Sequence, residues 1–594
     1  MGRVIRSVAA LVSAACLYGA SGVSYGAQPA STGAAATLPQ GTQFDSDYQA
    51  SFAANGVTNV FATTQKTSCY RPEVQAPFND GPDNGYTGET PCPGANTGED
   101  TGASAQYPTQ VGSNPGFAIP PPMLVKDHSE SDIRVDPTNP NHLIGSTKWF
   151  VSAEGYNHLL GFYESFDGGS TWSVQGHIPG FEGWTDNTDP VGAFDRFGNY
   201  YEFNLPYQFF YNADGSKNYT VGKSQEPNPV QAAEVVGVSV RPHGATTATQ
   251  WITLHNNKPD IIAAYDSVGR EPDKQWITID TNRSSPFHDR IYAMWVVFEG
   301  PFKPVPYVSY AQANPDGTHS DWSAPIKLPM PPHFPQGATY LLPHVDANGN
   351  VYTTLNNEDP AHQSFASTIA IDKSTDGGQS WTTTGTAASD IVSPPLIFPN
   401  TTFREGIQNT FTVGNDGSLY VAYEDYSAGF DNILLTRSTD GGATWSTPIQ
   451  VNDNASAVDE FQPNLTTAPD GTISVAFYDR RLACPDPNAA NGLGLDPNHP
   501  DHTTTNYCVN ASIQYYHPNL APYGHNIRLT QQTWDPQLNA PHPGSPTGTE
   551  TFIGDYFGNV ADGSTDVTSF VSTYDDGTNP HHYQQQVIAQ VAIP

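Results

Sequence analysis

The chain has 594 residues, with 53 Gly, 52 Pro and 11% aromatic residues against 14% charged ones, and a formal net charge of −35. Such acidity excludes a nucleic-acid partner, which needs a basic face, and argues against docking on an anionic membrane surface. Abundant Gly and Pro, with no long segment of apolar residues at i, i+3, i+4, i+7 spacing, excludes a helical architecture and predicts an all-β protein.

In chain order, Met1-Gly-Arg3-Val-Ile-Arg6, an apolar run through Leu17 and a set of small residues read as a secretory signal over residues 1–27. The expected location is therefore extracellular. Cys16 lies inside that signal, and Ser13 stands where a lipoprotein anchor would carry an aliphatic residue. No later stretch reaches the roughly 18 apolar residues needed to span a bilayer. Residues 28–125 are rich in Ala, Ser, Thr, Gly and Pro and read as a loop-rich extension ending at Pro120-Pro121-Pro122. Beyond the signal, four cysteines remain: Cys69, Cys92, Cys484 and Cys508. Three connectivities exist; local pairing, Cys69 with Cys92 and Cys484 with Cys508, is the simplest in an oxidising compartment.

From about 126 to 594 one pattern recurs: a polar residue, an alternating strand, a turn with Gly, and a second strand. The polar starts are Glu130, Asp189, Asp273, His344, Gln408, Gln462 and Asp555. Period-2 alternation predicts seven half-buried strand pairs. Between them lies a repeated phrase: Ser165-Phe-Asp-Gly-Gly-Ser-Thr-Trp172, Ser374-Thr-Asp-Gly-Gly-Gln-Ser-Trp381 and Ser438-Thr-Asp-Gly-Gly-Ala-Thr-Trp445. A looser copy, Asn314-Pro-Asp316-Gly-Thr-His-Ser-Asp-Trp322, has one more residue between Asp and Trp. Gly-Gly supplies the positive φ angles of a tight turn, Asp and Ser/Thr bond back onto turn amides, and Trp anchors the turn by burial. Asp167, Asp376 and Asp440 are thus expected to be structural.

The phrase resembles the Asp-box, or bacterial neuraminidase repeat, of sialidases and other β-propeller proteins. The resemblance implies a β-propeller of four-stranded blades with the phrase after the third strand. Seven starts favour seven blades; sialidase catalytic domains have six, which an insertion around 205–260 would restore. In a propeller the innermost strands line the channel, so the polar starts converge into a funnel, the default ligand site. The resemblance further implies a sialidase-like exo-glycosidase acting on a glycan or glycoconjugate, with a Tyr nucleophile, a neighbouring Glu, an Asp acid and arginines gripping a carboxylate. Transferred to this chain, the catalytic candidates are Tyr556, Glu405 (with Glu460 as alternative base), Asp189 and Asp555. The substrate-binding candidates are Arg404, Arg480, Arg481 and Gln462.

The family's Phe-Arg-Ile-Pro signature is missing; Phe403-Arg-Glu-Gly406 lies mid-chain and lacks Ile-Pro. Two alternatives therefore stand: a non-catalytic propeller binding glycan or protein, and a polysaccharide lyase using Tyr556 and His344. No Cys or His spacing typical of a metal site is read, and no cofactor is expected. Gly-x-Ser-x-Gly is absent. Oligomeric state is not legible.

Overall fold

The computed structural model describes residues 127–150, 159–180, 186–207, 234–265, 270–299 and 303–594. The last range has breaks, the longest at 358–366, 404–408, 482–507, 537–552 and 574–583; the short strands Thr63–Lys66, Glu73–Val74 and Gly85–Tyr86 are also described. The expected signal and Cys69, Cys92 and Cys484 lie outside these residues, whereas Cys508 is buried. Every regular element among the described residues is a strand, and none is a helix long and apolar enough to cross a membrane.

Seven four-stranded antiparallel sheets form a seven-bladed β-propeller. Blade 1 holds Asp127–Asp136, Asn139–Phe150, Leu159–Ser165 and Val174–His177. Blade 2 holds Asp186–Phe194, Tyr200–Tyr207, Glu234–Arg241 and Ile261–Tyr265. Glu234–Arg241, within the 205–260 region, is the third strand of a full blade, which decides between seven and six. Blade 3 follows with Arg270–Ile279, Arg290–Glu299, Pro304–Gln312 and Ile326–Lys327; blade 4 with His344–Val345, Val351–Asn356, Ser367–Ser374 and Thr382–Ile391. Blade 5 comprises Asn409–Val413, Leu419–Asp425, Asn432–Ser438 and Ile449–Gln450; blade 6, Glu460–Thr467, Ile473–Asp479, Asn510–Tyr516 and Pro522–Arg528. Blade 7 takes Gly558–Ala561, Thr565–Ser572 and Gln585–Ala592 from the C-terminus. Its fourth strand, Thr63–Lys66, runs antiparallel to Gln585–Ala592 and comes from the N-terminal extension, so the two ends of the chain close the ring.

The strand pairs differ from expectation in burial. In Arg290–Glu299 all of Ile291 to Val297 is buried, not alternate residues. Alternation is present, but it sorts side chains between two apolar layers. Ile291, Ala293, Trp295 and Val297 pack with blade 2, while Tyr292, Met294 and Val296 pack with blade 4. Each blade is sandwiched by its neighbours, so both faces of its inner strands leave water. The same layering joins blades 4 and 5, 5 and 6, 6 and 7, and 7 and 1.

The repeated phrase occupies the turn between third and fourth strands. In the first copy Ser165 Oγ donates to Asp167 Oδ1 at 2.8 Å and accepts from Gly169 N at 2.8 Å. Thr171 donates its amide to Oδ1 at 2.8 Å and its hydroxyl to Oδ2 at 2.7 Å. Asp376 and Asp440 repeat the arrangement with Ser380 and Thr444. Gly441 and Gly442 adopt φ of 74° and 92°, where a β-carbon is strained. Trp445 Nε1 donates back to Gly442 O at 3.0 Å. These carboxylates are consumed by turn amides and hydroxyls, as turn chemistry requires.

Candidate functional site

The channel end of the blades is built by one repeated distortion. In the first strands of blades 1, 2, 3 and 6 the pairing register jumps between Ser129 and Asp132, Thr188 and Val191, Asp273 and Trp276, and Phe461 and Asn464. Each jump is a β-bulge, and in each the first extra residue has positive φ: Glu130 at 50°, Asp189 at 54°, Lys274 at 49°, Gln462 at 48°. Tyr340, just ahead of blade 4, has φ 51° and Gly554, ahead of blade 7, 109°. A non-glycine residue there costs on the order of 1–3 kcal/mol and persists only where the surroundings over-determine it. Bulges re-aim side chains, and they concentrate beside functional sites.

Those residues line an upper chamber on the axis: Asp189, Lys274, Gln275, Tyr340, Asn409, Gln462, Asp555 and Tyr556, above a waist of Trp276, Leu342, Thr410 and Asn464. The same four waist residues roof a lower chamber of about 280 Å³, lined further by Arg134, Phe194, Thr278, His344, Phe411 and Asn559. Tyr556 and Trp276 meet edge-to-face at 5.5 Å, and Arg134 lies 5.8 Å from the Trp276 ring.

Charge in the upper chamber is arranged in pairs. Lys148, fully buried on the second strand of blade 1, sits 2.5 Å from Glu130 Oε2 and 2.6 Å from Asp189 Oδ1. Burial pushes Asp189 up, but the Lys148 ammonium, Glu130 and Lys274 together outweigh it and hold the carboxyl well below its usual range. Glu130 goes the other way: burial first, then the Asp189 charge, raise it well above its usual range. Lys274 ion-pairs with Asp555; burial opposes its charge, and Asp555 with Tyr340, Asp273 and Asp189 together more than restores it. Asp273, beneath Lys274, is pushed up to about 7 by burial, with Asp189 adding to the effect and Lys274 opposing it. Glu271 rises to about 8 by burial and the Asp273 charge.

Of the expected site residues, Asp189, Gln462, Asp555 and Tyr556 come together here. Gln462 Nε2 donates to Gly554 O at 2.6 Å and its backbone N–H donates to Glu424. The Tyr556 hydroxyl donates to Pro190 O at 2.9 Å. Burial, then Glu130 and Asp189, hold that phenol well above its usual range, opposite to the activation a nucleophile needs. Arg404 and Glu405 lie outside the described residues. Glu460 is buried beside Asp479 and Arg481, which dominate its surroundings. Arg480 donates to Pro399 O at 2.9 Å. Arg481 is held by Asp453 at 2.6 Å, Asn526 at 2.7 Å and Asp479 at 2.7 Å within blade 6. Both arginines therefore face the packing of blades 5 and 6. His344 lies below the waist, where burial and Arg134 push it down to about 4.

Sequence reasoning missed Lys148, Lys274, Tyr340 and Trp276. Lys274 was one residue away, because Asp273 marks the last paired residue before the bulge. Lys148 carried a signal that was readable: a lone lysine in the run His142-Leu-Ile-Gly-Ser-Thr-Lys148, otherwise uncharged after the first residue, must be paired if buried.

No protein-family model matches the chain, and no curated protein matches it. Solved structures match at low similarity. The polysaccharide lyase Uly1 is 11% identical with TM-score 0.41, over 81% of this chain and 92% of that one. A protein of unknown function from Dyadobacter fermentans is 11% identical with TM-score 0.40, over 79% and 95%. The intramolecular trans-sialidase from Ruminococcus gnavus is 13% identical with TM-score 0.36, over 82% and 98%.

Proposed function

We propose that this is a carbohydrate-active propeller that takes a glycan at the upper chamber and works on it with carboxyl groups. The observation that carries the reading is the opposed poise of neighbouring acids at one ring: Asp189 held ionised by Lys148, Asp273 raised to about 7. Environments that drive two carboxyls apart supply a base and an acid at neutral pH. Around them, Trp276, Tyr340 and Tyr556 offer ring faces, while Gln275, Gln462, Asn409 and Asn464 offer amides that suit hydroxyl-rich ligands. Among the described residues lining this chamber none is an arginine, so the sialidase-type reading rests on Arg404 alone. The lyase pair Tyr556 and His344 is divided by the waist, which disfavours that reading.

A non-catalytic glycan-binding propeller is the second reading, favoured by the pairing of Lys274, the one lysine among the described residues lining the chamber, with Asp555. Screening the purified protein on a glycan array and on a panel of aryl glycosides separates the two. Asp189→Asn should lower turnover at least about 100-fold while keeping binding, and Trp276→Ala should lose binding. Binding without turnover of any array sugar selects the second reading. Binding untouched by Trp276→Ala removes the chamber from both.

A further inference from the structure

The looser copy of the repeated phrase differs from the strict ones by one residue, and with that residue come His319 and Asp321, which the strict copies lack. They meet an element that belongs to no blade: the two-stranded hairpin Leu254–His255 and Lys258–Pro259, which leads into the outer strand of blade 2. His255 sits on that hairpin and Asp260 directly follows it. Both Asp260 and His319 are buried, at 5% and 6% exposure.

Hydrogen-bond roles decide what the gap between them holds. His319 Nδ1 lies 2.7 Å from Ser320 O. A carbonyl cannot donate, so Nδ1 carries the proton. Nε2 of the same ring faces Asp260 Oδ2 at 2.6 Å, while Asp260 Oδ1 accepts from Trp322 Nε1 at 3.2 Å. Protonated at Nε2 as well, the ring is an imidazolium that Asp260 stabilises; without that proton Nε2 is a lone pair aimed at a carboxylate, and a metal ion can take the proton's place once the two atoms move apart. His255 stacks on His319 with centroids 4.5 Å apart, and its Nε2 lies 2.8 Å from Asp321 Oδ1. The ligand atoms of His255, Asp260 and His319 all lie within 4.8 Å of one another.

We propose that His255, Asp260 and His319, with Asp321 as a fourth ligand and second oxygen donor, form a divalent metal site of the zinc class at the outer junction of blades 2 and 3. Two imidazoles and carboxylates suit such an ion, and a ligating histidine characteristically donates its other ring N–H to a backbone carbonyl, as His319 does. The rings are nearly parallel, at 7°, so one must turn for both lone pairs to converge. That ring is His255, the more exposed of the two, carried by a turn in which Asn256 and Asn257 both have positive φ. The site is structural: it ties the extra hairpin of blade 2 to the rim turn of blade 3. It is independent of the chamber reading above.

The test is a zinc titration of the chelator-stripped full chain by calorimetry, with thermal melts alongside. Wild type should take up one equivalent with a rise in Tm, and cobalt in its place should give the visible bands of a tetrahedral site. His255→Ala, on the half-exposed hairpin, should keep the fold yet weaken uptake at least about tenfold; His319→Ala and Asp260→Asn should do the same. No saturable uptake overturns the proposal, because the gap is then filled by a proton. Uptake equal in wild type and all three variants also overturns it, because the zinc is then held elsewhere, such as by His499 and His502 or by His581 and His582.

Discussion

The rim turns and the channel mouth use the same residue type in opposite ways. At the rim, Asp167, Asp376 and Asp440 stand near water and accept bonds from turn amides and hydroxyls. Those bonds hold each below its usual range, Asp440 at about 2. At the mouth, Glu130, Asp273 and Glu271 are buried among other carboxyls and are held above it. The strict turns satisfy their acids locally, within eight residues, and so can recur unchanged. Glu130 and Asp273 at the mouth are instead conditioned by side chains from other blades, and Glu271 by Asp273, which is what a site able to move a proton requires.

Three measurements break or sharpen that contrast. The largest effect is expected from Lys148→Met, which leaves Glu130 and Asp189 buried without their cation. The loss should be about 3–5 kcal/mol in chemical denaturation, and a loss below about 1 kcal/mol would show that the mouth is wetter than its packing indicates. Next, Gly442→Ala puts a β-carbon at φ 92°, 2.6 Å from Thr384 Oγ1, and should cost about 1–3 kcal/mol with no change at the chamber. The smallest is a difference in pH slope. Asp273 and Glu271 have folded values of about 7 and 8, above those of the unfolded chain. Their contribution is therefore full below about pH 4 and lost as pH rises towards 8. Asp273→Asn should flatten the fall in Tm between pH 5 and 8. The rim acids act in the reverse sense: their contribution is present above about pH 4 and lost as pH falls through the folded value. Asp440→Asn should flatten the acid limb alone.

Much of the fold was legible because each blade announces itself locally. A polar start, an alternating strand and a Gly turn recur within about 20 residues, so seven starts gave seven blades. The closing strand Thr63–Lys66 was not legible, since its partner Gln585–Ala592 lies over 500 residues away. At the site, Asp189, Gln462, Asp555 and Tyr556 were found because strand starts converge on a propeller axis. Arg480 and Arg481 were read as facing the channel mouth, because sequence marks a charged pair after a strand but not that Asp453, Asp459 and Asp479 surround it.

By itself, then, the sequence determined the all-β class and the turn chemistry of the repeated phrase and favoured seven blades over six, because these depend on contacts a few residues apart. Tertiary structure alone decided which acids are raised and which lowered, which arginines are locked inside a blade, and that His255, Asp260 and His319 face one gap. Desolvation and Coulomb coupling act through space, between groups brought together only when the ring closes.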